Sequence, residues 1–118
     1  MTEGTNTLGR IMISPRAIET IAAQAALSSY GVAGMASRNL VSGIANALAK
    51  DPRVGVVVRT SDDRIEIDLY VIVEYGTRIT SVASSVANTV RYQLEKALGM
   101  AVGAITVTVQ DLHVSDAD

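Results

Sequence analysis

The sequence predicts an α+β fold: a two-layer sandwich with a mixed β-sheet and two main helices on one of its faces. Three observations carry this. Ile65, Ile67, Leu69, Val71, Val73 and Tyr75 alternate with Arg64, Glu66, Asp68, Tyr70, Ile72 and Glu74, the period of a strand with one buried face. Val82, Val86, Val90, Leu94 and Leu98 then recur at the spacing of one helix face. Ile105, Val107 and Val109 alternate with Thr106, Thr108 and Gln110 after that helix, completing a β–α–β unit, which favours a right-handed crossover. With 118 residues the chain has room for one domain.

Taken in order, residues 1–7 are polar and are expected to be disordered. Residues 10–13 read as a short strand. Ser14-Pro15 is an N-cap followed by a proline at the first helical position, where no N–H donor is needed. Ile13 and Ile18 stand at the hydrophobic-staple positions. The first helix is placed at 15–29, with Gly31 as its stop. Val32-Ala33-Gly34-Met35 reads as an edge strand, and 38–50 as a short helix or a loop. Val54, Val56 and Val58 precede the long strand and form a hairpin with it. Only one register buries both valine and isoleucine faces: Val58 opposite Ile67, Val56 opposite Leu69, and Arg59 opposite Glu66. The same register sets Gly55 opposite Tyr70. Thr80 is read as the cap of the second helix, 80–98, before Gly99. The alternation of the last strand breaks at Asp111-Leu112, which signals a bulge or the strand end. One domain is placed at 8–114, with an acidic tail at 115–118. The order is β-α-β, the uncertain segment, then β-β-α-β.

Composition limits the chemistry. There is no Cys and a single His, His113, so thiolate chemistry and paired imidazoles are excluded. The net charge of -2 builds in no basic nucleic-acid surface. No apolar run reaches the ~18 residues that span a bilayer, and the N-terminus carries no secretory h-region, so a cytoplasmic domain is expected. The core lacks Phe and Trp and rests on 16 Ala, 15 Val, 10 Ile and 8 Leu. Small and β-branched side chains suit close helix–sheet packing more than the aromatic walls of a ligand pocket.

Each chemical motif has a plainer reading. Gly31-Val32-Ala33-Gly34 matches the GxxG of KH domains, but without the positive charge that a nucleic-acid backbone requires. It reads as a helix stop and a close-packing glycine. Asp62-Asp63 sits at a hairpin tip, where Asp favours turns. Asp111, His113, Asp116 and Asp118 offer metal ligands, two of them in the tail. Ser84-Ser85 lacks a nucleophile-elbow frame. Gly99–Gly103 follows a helix instead of opening one, so it is no phosphate loop. No catalytic residue, metal or cofactor is expected. Ala22, Ala23, Ala25 and Ala26 surround the first helix and pack either inside the chain or against a partner. The candidate interaction surface is the sheet face away from the helices: Gly55, Val57, Tyr70 and Ile72, rimmed by Arg53, Arg59, Glu66, Asp68 and Glu74.

Gly9-Arg10-Ile11-Met12-Ile13-Ser14-Pro15, the Gly31–Met35 segment, Asp68-Leu69-Tyr70-Val71-Ile72-Val73-Glu74-Tyr75-Gly76 and Val107-Thr108-Val109 occur in one order. Together they resemble the bacterial alkaline shock protein family, also called the envelope stress response family, over residues 8–114. The resemblance implies a small non-enzymatic cytoplasmic protein acting through protein contacts in envelope stress or homeostasis. Some members self-associate beneath the membrane through a separate anchor protein. Others accompany a kinase-like protein or regulate fatty-acid synthesis, so an accessory role toward a lipid-metabolic enzyme is the alternative. A homo-oligomer is expected, with attachment to the membrane only through a partner. The family has no agreed catalytic or ligand residues to transfer. This chain lacks the long charged tail of the filament-forming branch and fits the shorter type.

Overall fold

The computed structural model describes residues 2–6, 9–37, 51–61 and 63–115. The segment 38–50, Asp62 and residues 116–118 lie outside them, and with them the expected short helix or loop. The elements are strands β1 (Thr2–Asn6) and β2 (Gly9–Ile13), helix α1 (Pro15–Leu27), β3 (Val32–Met35), a 3-10 turn (Pro52–Gly55), β4 (Val56–Ser61), β5 (Arg64–Glu74), α2 (Ile79–Leu98) and β6 (Ile105–His113).

β5 is the spine. One edge pairs in parallel with β6. The other edge is shared by two antiparallel strands: β4 along Arg64–Leu69, and β3 along Val71–Val73. The hairpin register is the one the alternation demands, with Val58 on Ile67, Val56 on Leu69 and Arg59 on Glu66. The ladder continues to Ser61 on Arg64, and Asp63 takes the left-handed conformation, φ 64°, that closes the turn.

The inner face of β5, Ile65, Ile67, Leu69, Val71 and Val73, is at most 1% exposed. Ile18, Ala22 and Ala26 of α1 and Val82, Val86, Val90 and Leu94 of α2 meet it in one core. Ala22, Ala23, Ala25 and Ala26 of α1 are all buried, so the helix spends them inside the chain, while Ala17 in its first turn is exposed. Ala in place of larger residues lets α1 lie close against α2 and the sheet.

Four local expectations change. Residues 1–7 include β1, which pairs antiparallel with β2 from Thr2 on Ile13 to Asn6 on Gly9. β2 therefore belongs to a separate two-stranded sheet and not to the main one. α1 ends at Leu27: its cap Ser14 accepts from Ala17 N at 3.3 Å, and Gly31 serves the following turn at φ +89°. α2 begins at Ile79 with Arg78 as N-cap residue, so Thr80 lies in the first turn; Gly99 ends it in the left-handed conformation.

Gly55 stands where β5 changes partners, although it belongs to the 3-10 turn and not to the ladder. A Cβ there would lie 2.8 Å from Ala36 O and 2.9 Å from Tyr70 O. The Tyr70 carbonyl is held in place, because it accepts Ala36 N at 2.9 Å. Gly55→Ala is therefore expected to cost about 1–3 kcal/mol, the usual range for overpacking. Urea denaturation reads this as a lower midpoint with an unchanged slope; an unchanged midpoint would mean that the junction relaxes freely.

Candidate functional site

Alternation sends Glu66, Asp68, Tyr70, Ile72 and Glu74 of β5 to the face opposite the helices. Register places Val57 of β4 beside Asp68, and Arg59 beside Glu66. The Arg59 guanidinium grips Asp68 through two bonds, Nε to Oδ2 at 3.2 Å and Nη2 to Oδ1 at 3.0 Å. It also donates to Glu66 Oε1 at 2.9 Å. The planar fork suits this bidentate grip, and the bond to Asp68 holds Arg59 in its charged form.

At the other end of β5, Glu74 meets His113 of β6, Oε1 to Nδ1 at 3.2 Å, and accepts Ser115 Oγ at 3.1 Å. The His113 hydrogen bond, then that of Ser115, lowers the Glu74 pKa. This is not a nucleophile triad, because Ser115 and His113 both bond the carboxylate and no Ser–His bond links them in series. Sequence reading missed the pair for a specific reason. Strict alternation would put Asp111 and His113 on the core face. A bulge between Val109 and Asp111 shifts the register, so Asp111 faces Ile72, Leu112 faces Val73 and His113 faces Glu74.

The proposed apolar patch is smaller than expected. Val57 and Tyr70 are half-buried and accessible. Ile72 is 3% exposed and Gly55 is buried at the strand junction, so neither presents a surface to a partner. The other candidates stay apart. Gly31 lets Val82 approach, since a Cβ there would lie 2.6 Å from Val82 Cγ2, and Gly34 pairs with Ile72. Ser84 and Ser85 lie exposed along α2. Asp63 is an exposed turn residue, and Asp62, Asp116 and Asp118 fall outside the described residues. Among the described residues no group of His, Asp or Glu is arranged to hold a metal ion. No helix there is long and apolar enough to cross a membrane.

An open groove of about 490 Å³ runs along β4, lined by Val54, Val56, Val57 and Val58 and by Arg16, Glu19, Asp51 and Arg53. Asp51 caps the 3-10 turn through Arg53 N at 3.0 Å and binds the Arg53 side chain at 3.0 and 2.9 Å. Two of the four charged residues at the groove, Asp51 and Arg53, are thus paired with each other.

With no chemistry-bearing cluster in view, comparison with known proteins decides the kinship. The sequence profile of the alkaline shock protein 23 family, described by a cell envelope-related function, matches residues 3–114. The chain belongs to this family. It is 39% identical over 110 residues to YloU of Bacillus subtilis, an alignment covering 92% of each chain. It is 32% identical over 108 residues to Spy1614 of Streptococcus pyogenes, covering 90% of this chain and 89% of the relative. A further Bacillus subtilis relative, YqhY, is 35% identical over 103 residues, 86% of this chain and 76% of its own. All three carry the description "uncharacterized protein". No solved structure matches significantly.

Asp51 supplies a pH test of this family member. The Arg53 side-chain bond lowers its pKa from 3.8 to about 2. A carboxyl depressed in the fold contributes stability above its unfolded pKa, and that contribution fades as pH falls through the folded value. Asp51→Asn should therefore lower the melting midpoint near neutral pH. The gap to wild type should close between pH 3.8 and about 2. A gap independent of pH would assign the effect to the turn cap alone.

Proposed function

We propose that this protein is a non-catalytic contact module of the cell envelope, and that the outer face of the sheet is its working surface. The observation behind the proposal is the state of that face. Its charged groups are already hydrogen-bonded within the chain, Arg59 to Glu66 and Asp68, and Glu74 to His113. They frame the half-buried Val57 and Tyr70 on a strand whose other face is locked into the core. A rigid, pre-paired surface loses little side-chain entropy on binding and suits a protein partner. The envelope-related function of the family supports the cellular setting. Attachment to the membrane runs through a partner protein, and self-association belongs to the same reading. The alternative is service to a lipid-metabolic enzyme; net charge of -2 argues against nucleic acid.

The test is complementation. Val57→Lys with Tyr70→Ser sets a new cation beside Asp68, leaves Arg59 in place and removes the ring. In a host deleted for the protein, this variant should accumulate as wild type does, hold the same circular dichroism spectrum, and fail to restore growth under cell-wall stress. Full rescue would show that the outer face is not the working surface. A normal stress response with altered fatty-acid composition would favour the lipid-enzyme reading.

Indirect attachment gives a second expected outcome. Purified protein should stay in the supernatant when protein-free anionic vesicles are pelleted at physiological salt. Co-sedimentation would replace the protein anchor with direct lipid binding.

A further inference from the structure

Among the described elements, the β1–β2 hairpin is the least supported by the rest of the fold. Its strands pack on each other, and neither has extensive contact with the body. Only Ile13, at its base, joins the core. Ile11 is 47% and Met12 49% exposed. They are consecutive strand residues and so belong to opposite faces. The body therefore covers neither face. A two-stranded hairpin alone in water is marginal at best.

The hairpin has no slack with which to fold back. β2 ends at Ile13, Ser14 caps α1, and Pro15 is already inside the helix. Proline restricts both its own φ and the residue before it, so the hairpin's direction is tied to α1. Among the described residues no element covers the hairpin.

The body carries a matching vacancy. Among the described strands, β4 pairs only with β5, leaving one edge open along Val56–Ser61. Edge strands are usually protected by proline, a bulge or a charge. The far edge, β6, has its bulge. β4 has no proline, its pairing with β5 is unbroken, and its one charge is turned away: Arg59 reaches inward across the sheet to β5. The groove of about 490 Å³ lies at this edge. Its Asp51–Arg53 charges are spent on each other, which suits a strand such as Gly-Arg-Ile-Met-Ile, with one charge in five residues. Five residues also fit the six-residue length of β4.

We propose that the β1–β2 hairpin of one copy adds as a strand to the β4 edge of a second copy. This deepens the self-association in the proposed function and rests on it. Arg16 and Glu19, just past the start of α1, line the groove, so each copy's hairpin springs from beside its own acceptor edge. Two copies can then exchange hairpins about a twofold axis and close the assembly. The recognition is main-chain pairing along the strand, with side-chain fit along the groove.

The chain has no cysteine, so cross-linking can be directed. Full-length Ile11→Cys or Met12→Cys protein, carrying a tag, is mixed with untagged Thr60→Cys or Ser61→Cys protein under mild oxidation. A disulfide-linked heterodimer, formed in the mixture and not by either variant alone, supports the exchange. Sedimentation of the cysteine-free wild type should show a concentration-dependent dimer. Ile11→Lys with Met12→Glu should raise its dissociation constant by roughly tenfold or more, at an unchanged monomer spectrum. Wild type that stays monomeric throughout overturns the proposal. So does a disulfide within one chain of an Ile11→Cys, Thr60→Cys double variant, or cross-linking of hairpin to hairpin alone. The outer-face complementation test is independent of these results: a monomeric wild type with a failing Val57→Lys, Tyr70→Ser variant refutes hairpin exchange and leaves the contact module intact.

Discussion

The structure depends on satisfying all sides of one strand. β5 is eleven residues long, and it must bury its apolar face and pair both edges. Ile65, Ile67, Leu69, Val71 and Val73 take the first task and recruit both helices. Burying one such side chain is worth roughly 1.5–3 kcal/mol, so the helices have a defined place to go. The second task needs more strand than β4 offers, and β3 completes the edge beyond Leu69. Ala36 N bonds Tyr70 O at the change of partner, and that crowding leaves room only for glycine at 55.

The same economy governs the return from α2 to β6. Arg91 and Glu95, one turn apart on α2, hold the Val102 carbonyl at 2.6 Å and its N–H at 2.9 Å. Gly103 N then reaches Ile65 O at 2.8 Å, and Ile67 N reaches Ala104 O at 3.0 Å. The connection is thus delivered onto β5 before β6 begins. Bonds of this kind satisfy backbone groups of a connection that belongs to neither a helix nor a sheet ladder.

The two faces and the two edges of this sheet have different uses. The inner face holds the molecule together. On the outer face Arg59 is shared between Glu66 and Asp68, and Glu74 is hydrogen-bonded to His113, so these charged groups are engaged within the chain. The β6 edge is interrupted by a bulge, whereas the β4 edge is regular and, among the described strands, unpaired. The proposed contact face and the proposed acceptor edge for the hairpin are therefore separate surfaces of one sheet.

Much of this was determined by local pattern. The alternation of 64–75 with that of 54–58 sets the hairpin register, because a slip of one residue would expose every core side chain. The Val82–Leu94 stripe and Gly99 define α2, and Ser14-Pro15 defines the start of α1, since each signal acts within a turn of its own position. What lay beyond the sequence involves partners distant along the chain. The bulge turns His113 toward Glu74, 39 residues away. Packing buries Ile72 on a face that alternation alone assigns to solvent. β2 reads as a strand from its residues, but its pairing with β1 instead of the main sheet is a tertiary outcome. Strand propensity says that a segment is extended, and only the geometry of the available edges decides what it pairs with.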